Sequence, residues 1–237
     1  MPLTLLDCKN YLQTVFPVNN QQLTLALEKQ GKEIVGIITD HSSGPTNNDL
    51  DLVSRFLIGV ELWKADCDGD QTGNAARNSP QSIWTALKGA IYSSEDLEKL
   101  LSIMQLCGFG SSRDEESGKR RAKRATAVLR FLDPELWGVV DWRVAAIIGL
   151  YENKCNRDIE SSINLGKNFC VADMAGPYDI LDEKAAEFYE KLFRSISMKT
   201  PELPKAVDVE RAFYGASFMA WPRQSKSKSH RINRRRF

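Results

Sequence analysis

A lysine at position 123 and an aspartate at position 141 each open a predicted helix, eighteen residues apart in the run KRATAVLRFLDPELWGVVD. Together they offer an amine and a carboxylate. Just upstream, Leu106-Cys107-Gly108-Phe109-Gly110 supplies a glycine turn. Glycine permits the turn and a close backbone approach to an anion; equally, it can end a helix and lead into a loop. Between this turn and the lysine lies SSRDEESGKRR, and its end merges into Lys119–Arg124, KRRAKR, basic at five positions of six. Lys119, Arg120, Arg121 and Arg124 are suited to phosphate contact, or to a solvated helix start. Asp141 is placed to cap the helix that follows it. A lysine at a helix start, taken alone, is ordinarily structural.

The elements that must hold these groups are helical. Ala125, Val128, Leu129 and Leu132 form one apolar face at i, i+3, i+4 and i+7. At ~100° per residue, Lys123 lies roughly opposite that face, toward a cleft or toward water. Asp133-Pro134 predicts a turn, Trp137–Val140 an apolar approach to Asp141, and Trp142–Tyr151 a helix. Upstream, helices are predicted over Leu3–Phe16, Asn20–Asp40, Asp49–Lys64, Ser79–Tyr92 and Ser93–Leu106. The second is weakened at Gly31, and its IVGII run also suits a short strand. Ser79-Pro80 is a serine cap with proline at the first helical position. His41–Asn48 reads as a loop, Ala65–Asn78 as a long polar connection and Asn153–Gly176 as irregular. Pro177–Ser197 and Ala206–Trp221 complete an all-α pattern with mostly short loops and no internal repeat.

The chain of 237 residues carries a net charge of +1, which hides an asymmetry. Residues 223–237 hold seven Lys/Arg and no acid, leaving 25 bases against 31 acids in the other 222 residues, a net charge of −6. A mildly acidic body with a basic tail suits a polyanionic partner, or a mobile solubilising tail. No apolar run approaches the ~20 residues of a membrane span, and Met1–Phe16 is too polar for a signal peptide. The five cysteines are scattered without a CxxC, which fits free thiols in a reducing cytosol. With His41 and His230 as the two histidines, a zinc site is not expected.

In order along the chain, an amphipathic helix, a GxG turn, a lysine-led helix, a D-P turn, Val139-Val140-Asp141 and an apolar helix resemble the helix-hairpin-helix DNA glycosylase superfamily. That superfamily includes endonuclease III and 8-oxoguanine glycosylase. The resemblance covers about 95–151, and the flanking helices match in type alone. In the family the second hairpin helix begins almost directly after the turn, whereas eleven residues intervene here. The family also continues its aspartate with Thr-His, where this chain has Trp142-Arg143.

The resemblance implies two helical lobes with a cleft between them over residues 1–222, followed by the basic tail. It implies a monomer that binds double-stranded DNA, flips out a damaged base and attacks the sugar C1′ with the neutral amine of Lys123. Asp141 would stabilise positive charge at the sugar and assist proton transfer. Gly108, Gly110 and Arg143 would join the basic cluster on phosphate. A Schiff base at the sugar would permit strand nicking, the AP-lyase reaction. The lysine–aspartate pair favours an oxidised purine, 8-oxoguanine first, with oxidised pyrimidine second. No cofactor is expected: the iron–sulfur cluster of some relatives needs four closely spaced C-terminal cysteines, absent here. The expected setting is the nucleoid-associated cytoplasm or the nucleus. Two other readings fit the residues: a non-catalytic DNA-binding module or scaffold on the same fold, and a helical protein-interaction domain with a loosely binding basic tail.

Overall fold

The computed structural model describes residues 2–16, 18–40, 44–68, 72–110, 122–153, 157–169 and 183–222. Ten α-helices form among them: α1 Leu5–Val15, α2 Val18–Asp40, α3 Asn47–Asp68, α4 Pro80–Tyr92, α5 Asp96–Met104, α6 Lys123–Leu132, α7 Trp142–Asn153, α8 Ile159–Gly166, α9 Glu183–Ser197 and α10 Ala206–Ala220. The all-α expectation holds. None of the described helices is long and apolar enough to cross a membrane.

Local chemistry starts several helices where the sequence expects them. Thr4 and Asp7 exchange side-chain and backbone hydrogen bonds as a capping box at α1, and Thr46 and Asp49 repeat the arrangement at α3. Ser79 caps α4 with Pro80 at its first position. Three expectations need correction. The IVGII run is helical, inside an α2 that passes unbroken through Gly31. Gly31 is there for contact: a Cβ on it would lie 1.9 Å from the Phe131 carbonyl oxygen of α6. The polar stretch after Lys64 continues α3 to Asp68 and adds a short 3-10 turn at Ala75–Arg77. The stretch read as irregular contains α8, started by the Asp158 side chain accepting from the Glu160 backbone N–H.

Two hydrophobic clusters organise the chain. The first gathers α2 to α6 around Phe56, Leu57, Leu87, Ile103 and Phe131. The second gathers α1, α7, α8, α9 and α10 around Val144, Ile147, Leu203 and Phe213. Within it α1 lies against α10 so closely that a Cβ on Gly215 would meet the Cys8 carbonyl oxygen at 2.0 Å. The link between the clusters is the segment between α6 and α7. Trp137 and Val139 belong to the first cluster and Val140 to the second. Asp141, next in line, is therefore delivered to the junction.

Candidate functional site

Asp141 is 3% exposed, and its two oxygens do different work. Oδ1 accepts from the backbone N–H groups of Arg143 and Val144, each at 3.0 Å, and so caps α7. Oδ2 lies 3.5 Å from the Nζ of Lys64, itself 1% exposed. The preceding residue is fixed as well, since the Val140 N–H donates to Thr126 Oγ1 of α6 at 3.3 Å. The carboxylate thus has its orientation set by a helix end, a preceding residue anchored to α6 and an ion pair.

Asp141 and Lys64 open onto a cavity of about 260 Å³. Its walls come from both clusters: Leu12 and Phe16 from the α1 side, Thr24 and Leu25 of α2, Trp63 of α3, Val139, and Tyr214 of α10. Lys9, Arg130, Glu210 and Arg211 add charge. Trp63 is held by its Nε1–H donating to Thr24 Oγ1 at 2.8 Å, and it meets Phe131 edge to face with centroids 5.2 Å apart. The Arg130 guanidinium lies 4.2 Å from the Phe131 ring centroid and 5.7 Å from that of Trp63. One of its nitrogens donates to Glu28 at 2.8 Å, and the same Glu28 oxygen accepts from Arg211 at 3.2 Å. Burial, with Arg211 adding repulsion, pulls Arg130 down to about 10. Burial pushes the Glu210 carboxyl up to about 7, with Asp141 adding to the rise while Arg130, Arg211 and Lys64 oppose it. The cavity therefore joins aromatic walls to charged groups of both signs, a lining suited to a planar polar ligand.

Lys123 is half-buried at the start of α6 and is not among the described residues that line the cavity. It lies one turn before Thr126, whose hydroxyl accepts from the Val140 N–H, and two before Arg130, which lines the cavity. Arg124 donates to Glu61 at 3.3 Å and to the Gly108 carbonyl at 3.2 Å, tying α6 to the glycine turn. Glu61 also accepts three backbone N–H groups, from Gly73, Asn74 and Ala75.

The glycine turn is packed inward. Gly108 has φ +84°, and a Cβ on it would lie 2.3 Å from Asn74 Cβ. Gly110 is buried against Met104. The Asn78 side chain holds the Cys107 N–H at 2.7 Å and its carbonyl at 3.2 Å. Arg143 faces α10, donating to Ser217 Oγ and to the carbonyls of Ser217 and Trp221, with Phe218 4.4 Å beneath it. Lys119, Arg120, Arg121 and the basic tail lie outside the described residues. Among the described residues no group of His, Cys, Asp and Glu is arranged to hold a metal ion.

Sequence reasoning missed Lys64, Arg130 and Glu210. A signal existed for the lysine. Val53, Phe56, Leu57, Val60 and Trp63 form the inward stripe of α3, and Lys64, four residues after Val60, continues it with an amine. Glu210 stands likewise among small and apolar residues of α10. Arg130 shares its helix side with Lys123 and Thr126, a side that reads as polar and is in fact covered. Compared with known proteins, the chain matches no family model, no curated protein and no solved structure.

Proposed function

We propose that this protein is a DNA repair glycosylase that excises an oxidised base, 8-oxoguanine in the first instance, from double-stranded DNA. The observation that carries the reading is a buried, oriented carboxylate, Asp141, on the wall of an aromatic-lined cavity at the junction of two helical clusters. In this reading the clusters stand for the two lobes, and the cavity lined from both would receive the extruded nucleotide. A flipped base needs stacking surfaces and polar edge partners; Trp63, Phe16 and Tyr214 offer the first, and Arg130, Lys64 and Glu210 the second. Asp141 then stabilises positive charge at the sugar as the base departs, and an amine beside it completes the reaction. Lys123 is the amine the resemblance supplies. Arg120, Arg121 and the tail add affinity for the duplex backbone, while Arg124 is held by Glu61 and the Gly108 carbonyl. Strand nicking through a Schiff base belongs to the same proposal.

The test is base release from a panel of duplexes, each carrying one damaged base. Release of 8-oxoguanine by the full chain, slowed at least about a hundredfold in Asp141→Asn, is the expected result; a hundredfold is the low end of what a charge-stabilising group contributes, about 10²–10³ in known oxyanion sites. No release from any damaged duplex would sink the reading. A non-catalytic DNA-binding role has one observation in its favour: Asp141 already serves as a helix cap and an ion-pair partner. Salt-dependent duplex binding without base release would select it.

A further inference from the structure

Lys64 is an expensive residue for the wall of a core. Burying an ammonium is costly even when it is paired, and an apolar side chain of similar volume is often as stable there or more so. The apolar stripe of α3 would accommodate one. What the amine gains in this position is a neighbour and an opening. Its Nζ is 3.5 Å from Asp141 Oδ2, and both residues line the cavity. Asp141 is in turn oriented by two backbone N–H groups on its other oxygen. A nucleophile in reach of a base, with the base held by a third group, is the arrangement that activates amines and hydroxyls for covalent catalysis.

We propose that Lys64, in place of Lys123, is the amine that bonds to the sugar, with Asp141 as its proton acceptor. The proposal rests on the glycosylase reading for the identity of the electrophile, the C1′ carbon of a deoxynucleotide. Lys64 passes a proton to Asp141 Oδ2, and the freed lone pair forms the Nζ–C1′ bond. The C1′–N bond to the base breaks, its electron pair leaves with the base, and the base takes up the proton held by Asp141. At an abasic site the same amine adds to the C1′ aldehyde, and loss of water leaves an imine. Lys123, by contrast, is not among the described residues lining the cavity into which a nucleotide would enter.

The experiment uses the full chain, a duplex carrying a single abasic site, and borohydride, which reduces an imine to a stable secondary amine. Digestion and mass spectrometry then identify the modified lysine. The expected adduct is on Lys64. Lys64→Arg keeps a cation beside Asp141 but cannot form an imine; trapping is lost in it while its thermal midpoint stays close to that of the parent. An adduct on Lys123 or on any other lysine overturns the assignment. So does base release without any trapped adduct, which leaves the glycosylase reading standing. Absence of both base release and trapping removes the reading and the assignment together.

Discussion

At the scale of the residue, the divided duties of Asp141 make its substitutions separable. Asparagine can still cap α7, but it removes the carboxylate charge 3.5 Å from the Lys64 amine. Asp141→Asn is therefore expected to lower stability by about 3 kcal/mol, the range for breaking one side of a buried pair. Lys64→Met in the same chain should recover most of that loss, because the buried amine opposite position 141 is gone as well. Urea unfolding of the two single variants and the double variant gives the coupling; strictly additive losses would show that the two groups do not sense each other. Glu210 gives a second handle. Its carboxyl is raised from 4.5 to about 7 by burial, so the folded state holds the proton more tightly than the unfolded chain. The stabilising contribution is full below 4.5 and disappears as pH rises through 7, amounting to about 3 kcal/mol at most. Buried Glu190, also raised, acts in the same direction. Urea midpoints between pH 4.5 and 7 should fall in the parent and fall less in Glu210→Gln; parallel curves would show that Glu210 does not titrate in this window.

At the scale of the element, one helix carries the same substitution with opposite outcomes. Glycine to alanine inside a helix ordinarily stabilises by up to about 1 kcal/mol. Gly36 of α2 has nothing within 4 Å of an added Cβ, so Gly36→Ala should raise the thermal midpoint. Gly31, five residues earlier, would drive its Cβ into the Phe131 carbonyl, so Gly31→Ala should destabilise by about 1–3 kcal/mol through overpacking. If both variants shift the midpoint upward, α2 and α6 do not touch as described. The pair also shows why part of the fold was legible and part was not. Helix starts are written in local chemistry, as Ser79-Pro80 illustrates, and periodicity over ten or more residues revealed most helices, whereas the eight-residue α8 behind Asp158 was too short to stand out. The reason for a glycine in mid-helix lies a hundred residues away, on another helix. The site divides the same way. Asp141 was visible as a helix start, whereas Lys64 and Glu210 join it only through packing of α3 and α10. A lysine and a glutamate interrupting apolar stretches, Lys64 on α3 and Glu210 on α10, were the traces of that assembly left in the chain.

At the scale of the molecule, charge is distributed by region: seven of the 32 basic side chains fall in residues 223–237. Each cation that meets a phosphate adds about 0.9 to the slope of log affinity against log salt. Deleting residues 223–237 should therefore flatten that slope by between about 1 and 6 while weakening duplex binding alike across sequences. Fluorescence anisotropy over a salt series measures it, and an unchanged slope would assign the tail another task. The close seat of α1 on α10 has a consequence in time. The second cluster joins the earliest described helix to the latest, whereas the first cluster draws chiefly on a continuous stretch from α2 to α6. On the ribosome, α1 must wait for α10 for roughly ten to forty seconds at ordinary elongation rates. Through that interval its apolar side has no native seat and is a ready client for a chaperone. The junction that holds Asp141 is consequently incomplete until α10 has emerged, and the chain acquires its candidate chemistry only when helices separated by most of the described sequence have met.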